Sequence, residues 1–234
     1  MLRQNIASSF ATTRVLFDRS CPCEGFPVSK GLFFSFEGID GVGKTTQQER
    51  FVAWLQSQGR QVVTCRDPGT TPLGESLRDI LLRSEDRPIG SRSELLLYMA
   101  ARAQLADQVI GPALESGSDV VTDRFLLSTL AYQSHARDGD IKSGRMIGQF
   151  ATGGRLPDLV FLLDLDPVAA AERRHTPADR IEARGNDYLA RVRNGYLTEA
   201  VREPNRIVVV DAAAAPDVIQ AVIQSAAEER IQGR

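Results

Sequence analysis

Phe34-Ser35-Phe36-Glu37-Gly38-Ile39-Asp40-Gly41-Val42-Gly43-Lys44-Thr45-Thr46 is the stretch that decides how this chain folds. Gly38, Gly43, Lys44 and Thr45 fit the spacing G-x-x-x-x-G-K-[ST], with a further glycine at Gly41. An apolar run, Leu32 to Phe36, leads in as a buried strand would, and a helix is expected from Thr45 to Gln58. A phosphate-binding loop needs that strand–loop–helix context. Its glycines let the backbone turn sharply and bring N–H groups close to an anion. The helix N-terminus adds unsatisfied donors and partial positive charge. Residues Gly38, Ile39, Asp40, Gly41, Val42, Gly43, Lys44, Thr45 and Thr46 are therefore expected to hold the phosphates of ATP. Lys44 would reach the β and γ phosphates, and the Thr45 hydroxyl would ligate Mg²⁺.

The rest of the chain is of a size and composition to build a domain around this loop. Its 234 residues are 42% hydrophobic and 25% charged, which suits one α/β domain with a real core. A net charge of −2 calls for neither nucleic acid nor an anionic membrane as partner. No apolar run approaches the roughly eighteen residues that a membrane-spanning helix requires. Three cysteines, Cys21, Cys23 and Cys65, do not make a disulfide framework, and the pattern fits a reducing, cytoplasmic setting. Two histidines, His135 and His175, leave no cluster for a metal. Residues 1–30 lack a clean period and read as a disordered N-terminal extension without a function of its own. Asp18 and Glu24 count against a transit peptide, and no secretory h-region is present. Residues 31–234 read as one domain.

Strand and helix patterns alternate along that domain. Strands are expected at Gln61–Cys65, Val120–Asp123, Leu159–Asp166 and Ile207–Val210, after the first at Leu32–Phe36. Helices are expected at Leu73–Arg83, Ser91–Ser116, Leu126–Ser134, Met146–Ala151, Tyr188–Val201 and Pro216–Ile231, with a polar break at Asp138–Asp140 and a helix opened by Pro167. The strands are short and nearly all apolar, as strands buried on both faces are. The expected architecture is a five-stranded parallel sheet with helices on both faces, the phosphate-loop type of α/β fold. Arg173 to Asn186 is dense in charge and poor in apolar residues, and reads as a mobile lid over a site.

A phosphate loop alone serves many functions, so its partners must decide. The N-K-x-D that reads guanine is absent from the sequence. Arginines at strand ends and in the charged segment are what phosphoryl transfer between two nucleotides needs, because two polyphosphates must be neutralised and water excluded. Beside F-E-G-I-D-G-V-G-K-T-T stand R-D-P-G-T-T-P-L-G-E at Arg66–Glu75, L-L-L-Y-M-A-A-R-A-Q at Leu95–Gln104 and D-R-F-L-L-S-T-L-A-Y-Q at Asp123–Gln133. P-D-L-V-F-L-L-D-L-D-P at Pro157–Pro167, D-R-I-E at Asp179–Glu182 and R-V-R-N-G-Y-L at Arg191–Leu197 follow. In this order and spacing the chain, from about Gly31 to Val210, resembles the bacterial-type thymidylate kinases among the nucleoside-monophosphate kinases.

The resemblance implies a set of roles. Tyr98 and Arg102 lie four apart on a helix and share a face, so the ring can stack on a pyrimidine while the guanidinium donates to its O4. Relatives carry Phe where Tyr98 stands, and the added hydroxyl needs a partner or solvent. Arg124 would clamp the acceptor monophosphate bidentately, with Arg78 as a second arginine upon it. Asp123, ending a strand beside the phosphate loop, would hold the Mg²⁺ shell together with Thr45. Asp40 would sit near the acceptor's 3′-hydroxyl, and Tyr132 would disfavour a ribose 2′-hydroxyl. Asp67, Pro68, Ser128 and Thr129 complete the dTMP pocket, Asp67 standing where relatives carry Glu. Lys44, Arg124, Arg173 and Arg180 are the expected catalytic cations, the last two supplied from the lid. His175 stands where relatives often have arginine. The implied reaction is phosphoryl transfer from ATP to dTMP, Mg²⁺-dependent, giving dTDP and ADP, by a homodimer packed through the Ser91–Ser116 helix. Its rivals are another nucleoside or nucleoside-monophosphate kinase, or a nucleotide-binding regulator without turnover.

Overall fold

Phe33–Glu37 forms the central strand β1, and every one of its side chains is buried. A computed structural model describes residues 30–83, 88–137, 139–174 and 180–233. The expected extension, apart from Lys30, lies outside those residues, as do 175–179 of the expected lid. Among the described residues β1 is joined by β2 (Val62–Arg66), β3 (Asp119–Asp123), β4 (Leu159–Asp164) and β5 (Ile207–Asp211). They pair in the order β2-β3-β1-β4-β5, all parallel. The expected five-stranded parallel sheet is therefore the one observed. Its central strand is flanked by β3 and β4, which lets the loops after β1 and β3 meet at one end of the sheet, in the crevice where such folds bind ligands.

Alternation along β1 divides the core. Phe34 and Phe36 meet Phe51 of α1 (Lys44–Ser57) and Phe161 of β4, with ring centroids 5.1 Å apart for Phe34–Phe51 and 5.2 Å for Phe51–Phe161. Phe33 points the other way and meets Phe125 edge-on at 5.0 Å, in a cluster with Leu105, Ile110 and Val120. Each such ring is worth about 1.5–3 kcal/mol for its burial. Helices therefore cover both faces because β1 carries large apolar groups on both.

The remaining helices are α2 (Pro72–Arg83), α3 (Ser91–Leu105), α4 (Gly111–Glu115), α5 (Leu126–Thr129), α6 (Ile141–Ala151), α7 (Pro167–Glu172), α8 (Asn186–Arg202) and α9 (Pro216–Gln232). The expected helix Ser91–Ser116 is α3 and α4 joined by a wider π turn, Ala106–Ile110. Pro112, which lacks an N–H, follows after Gly111, and the wider turn accommodates the missing bond. A second π turn, Leu130–His135, prolongs α5 to the end of the expected helix. α6 begins five residues before the expected Met146. The expected polar break contains Asp140, whose carboxylate accepts from the N–H groups of Lys142 (3.0 Å) and Ser143 (3.3 Å). It is thus a helix cap rather than a loop. Likewise Asp166 is not the last residue of β4 but the cap of α7, accepting from Val168 N at 2.9 Å.

Candidate active site

The phosphate loop joins β1 to α1 with Gly38, Gly41 and Gly43 all at positive φ. Gly41 admits no side chain: a Cβ there would collide with the Ala170 carbonyl oxygen and lie 3.2 Å from Arg174 Cγ. Gly43, at φ 91°, precedes α1 and leaves the helix N-terminus open, with Thr45 and Thr46 exposed beside it. Ile39 and Val42 anchor the loop in the core, 3% and 1% exposed. Lys44 folds back over the loop. Its Nζ donates to the carbonyls of Gly38 (3.2 Å) and Ile39 (2.9 Å) and to Asp40 Oδ1 (2.9 Å).

Arg124 follows β3 and approaches the same loop. It has φ 64°, an uncommon conformation for a side-chain-bearing residue, and its N–H is held by Phe36 O at 2.9 Å. Its guanidinium reaches Gly38 O (2.9 Å), Ser128 Oγ (3.1 Å), Tyr196 OH (3.2 Å) and Asp40 Oδ1 (2.5 Å), and lies over the Tyr132 ring at 5.3 Å. Burial works against the Arg124 charge, but Asp40 and its neighbours outweigh that and keep the group firmly protonated.

Beside this cation a cleft opens to solvent, with about 680 Å³ of free space between its walls. Asp40, Asp67, Pro68, Arg78, Tyr98, Arg102, Asp123, Arg124, Ser128, Thr129 and Tyr132 all line it. The structure thus brings together the residues assigned from sequence to the acceptor. Arg66, Leu82, Gln133 and Ile181 line it as well, without having been singled out. Arg102 is 1% exposed and heavily engaged. Its Nε donates to Asp67 Oδ2 at 2.5 Å and its Nη2 to Thr129 Oγ1 (2.7 Å) and Phe125 O (3.1 Å), while Nη1 lies 3.1 Å from Met99 Sδ. Asp67 is itself fully buried; burial raises its pKa, and Arg102 lowers it only in part. Arg78 Nη1 donates to Pro68 O at 3.0 Å, across a cis Asp67–Pro68 peptide.

Asp123 ends β3 with one carboxylate oxygen, Oδ1, buried and without a hydrogen-bond partner. That orphaned oxygen, with the exposed Thr45 hydroxyl, fits the needs of Mg²⁺, which takes one or two protein ligands and fills its shell with water and substrate phosphate. Among the described residues no cluster of three or more His, Cys, Asp or Glu could cage a metal by itself.

The lid arginines separate. Arg173 Nη1 donates to Ala212 O, just past β5, at 2.7 Å. Arg180 donates to Leu81 O and to Glu94 Oε2, both at 2.8 Å. Arg174, a lid arginine that the sequence ranks behind Arg173 and Arg180, has its stem against the phosphate loop at Gly41.

Glu37 was also not anticipated. Its carboxyl is wholly buried and accepts from Phe125 N (2.8 Å), Ser128 Oγ (2.5 Å) and Tyr196 OH (3.3 Å). Burial pushes its pKa up to about 7, against the pull of Ser128 and Arg124. The acidic residue inside F-E-G-I-D, next to the loop, was the available signal.

The chain matches the family model described as thymidylate kinase over residues 36–223. A thymidylate kinase of Bifidobacterium longum (strain DJO10A) is 46% identical over 202 residues, covering 85% of this chain and 98% of the relative. One from Chlorobaculum tepidum is 42% identical over 207 residues, covering 83% and 95%. Among solved structures, the thymidylate kinase of Ehrlichia chaffeensis superposes with a TM-score of 0.69 at 29% identity, covering 84% of this chain and 98% of the other.

Proposed function

The chain belongs to the thymidylate kinase family, and from that premise we propose how its own residues carry the transfer. It phosphorylates dTMP in the synthesis of dTTP, with ATP as donor. The observation that carries the residue assignment is the Asp40–Arg124–Lys44 junction, where the phosphate loop meets a cleft lined by Tyr98 and Arg102.

In this reading the loop N–H groups and Lys44 hold the β and γ phosphates of ATP. Arg124, with Arg78, holds the acceptor phosphate, whose anionic oxygen is the nucleophile and needs no strong base. Tyr98 stacks on the thymine, and Arg102 offers a donor to its O4 while Asp67 and Thr129 fix the guanidinium plane. Thr45 and Asp123 would hold Mg²⁺, which would supply neutralisation of phosphate charge. Tyr132 packs beneath Arg124 and narrows the sugar end. Arg173, Arg174 and Arg180 supply charge from the lid, with Arg174 nearest the loop.

The protein acts as a homodimer in the cytoplasm. Support for the dimer comes from large apolar side chains left exposed on α3 and α6, which pack side by side: Leu96 is 54% exposed, Met146 68% and Phe150 88%. No helix among the described residues is long and apolar enough to cross a membrane. Sedimentation of Phe150→Glu beside the wild type tests this, since a dimer in both, or a monomer in both, removes α6 from the interface.

ADP release measured with ATP and Mg²⁺ across dTMP, dUMP, dCMP, UMP, AMP and thymidine tests the assignment. Turnover greatest with dTMP and lost in Lys44→Ala is expected. A preference for dCMP would overturn the role given to Arg102.

A further inference from the structure

Glu94, in the first turn of α3, is fully buried and is no part of the cleft lining. Three arginines converge on it. Its Oε2 accepts from Arg184 Nη2 (2.6 Å) and Arg180 Nη2 (2.8 Å), with Arg137 Nη1 at 3.1 Å, and its Oε1 accepts from Gln133 Nε2 (3.0 Å). One carboxylate needs only one cation for neutrality, so three guanidinium groups imply that the site gathers segments rather than balances charge.

Each of three arms ends on the acceptor cleft. Gln133 lines the cleft directly. Arg180 precedes Ile181, a lining residue 4% exposed, and its second donor fixes Leu81 O beside lining residue Leu82. Arg184 Nη1 donates to Tyr188 OH at 2.9 Å, and that hydroxyl donates to the carbonyl of lining residue Tyr132 at 2.8 Å, with the two rings edge-on. Glu94 also stands four and eight residues before Tyr98 and Arg102, on the same face of α3.

We propose that Glu94 is a positioning residue for the acceptor: its buried carboxylate preassembles the wall formed by Tyr132, Gln133 and Ile181 and so sets the affinity for dTMP. This rests on reading the cleft as the dTMP site. Ordering long arginine side chains is entropically costly and needs charge-assisted hydrogen bonds to offset it. Although burial alone would raise the Glu94 pKa, the bonds from Arg184, Gln133 and Arg180 hold it below the usual carboxylate range, so the anion persists at working pH. Without that anion, dTMP must order three separate segments as it binds. ATP makes no such demand, because no contact joins Glu94 to the phosphate loop among the described residues.

The test is steady-state kinetics and dTMP binding by calorimetry on the full chain carrying Glu94→Gln, which keeps the volume and an acceptor for Gln133 but removes the charge. KM and Kd for dTMP should rise about tenfold, with KM for ATP within about twofold. Should that variant fold poorly, Arg184→Met decides: it removes one arm without stranding a buried carboxylate, and should raise KM for dTMP by a smaller factor with the same selectivity. Unchanged dTMP affinity in the folded variants, or parallel rises in KM for both substrates, would overturn the role of Glu94. Wild-type protein assayed alongside separates the two readings: no wild-type turnover of dTMP overturns the functional assignment, and this inference with it.

Discussion

Asp40 and Arg124 are joined at 2.5 Å through the same carboxylate oxygen, Oδ1, that lies 2.9 Å from Lys44 Nζ. One anion therefore stands between the two cations. Under the proposed assignment Lys44 serves the donor and Arg124 the acceptor, so Asp40 would keep the cations from collapsing upon either phosphate alone. Asp40→Asn is expected to lower kcat at least tenfold, about 1.4 kcal/mol in transition-state terms, while KM for ATP stays flat or falls. Since the Asp40 side chain is 42% exposed, unfolding stability should barely change. An unaltered kcat in steady-state assays would show that the Asp40 charge plays no part in the transfer.

Gly41 offers a test confined to the loop. It combines φ 91° with the close approach of Ala170 O. Gly41→Ala must move either the loop or α7, and both disrupt the ring of oxygens around Lys44. Nucleotide binding measured by calorimetry should weaken at least a hundredfold, about 2.7 kcal/mol, with dTMP binding less affected. Retained ATP affinity would show that the loop relaxes freely.

How much of this was legible in sequence depends on how far apart the partners lie. The phosphate loop is local, so its spacing declared its shape. Tyr98 and Arg102 were marked by the motif resemblance, helix spacing adding only that four residues apart share a face, and both line the cleft. Asp123-Arg124 was legible because an acid and a base at a strand end sit where the sheet opens. Glu94 was not, since its contact with Arg180 spans 86 residues, and Glu37 meets Tyr196 across 159. Charge density marked the segment after Arg173, but it could not tell which arginine turns to β5, which to α3 and which to the loop. Asp140 misled because an acid among polar residues reads equally as a break or a cap until its N–H partners are known.

Asp67 and Arg102 form a pair in which both side chains are essentially buried, at 0% and 1% exposure. Removing one partner strands the other. Asp67→Ala should cost about 3–5 kcal/mol of stability, visible as a drop in urea midpoint with an unchanged slope. The affinity for dTMP should fall too, because the guanidinium plane loses its anchor. A loss below about 1 kcal/mol would mean that Thr129 and Phe125 O suffice to hold Arg102.

Glu37 gives the chain a pH dependence of predictable sign. Its carboxyl has a pKa of about 7 in the folded protein against the ordinary value of 4.5, because burial favours the neutral acid. Below pH 4.5 the group is protonated folded or unfolded, and its contribution is fully present. As pH rises from 4.5 to 7 the unfolded chain releases the proton while the folded one retains it, so stability falls. The loss levels off above the folded pKa, at about 3 kcal/mol for an unrelaxed site. Urea unfolding at pH 5 and pH 8, for wild type and Glu37→Gln, isolates this contribution, since all other titrating groups cancel in the difference. The wild type should lose more stability than the variant across that interval. Parallel losses would mean that Ser128, Tyr196 and Arg124 hold Glu37 ionised in the folded state, and that the network beneath Arg124 carries a permanent negative charge.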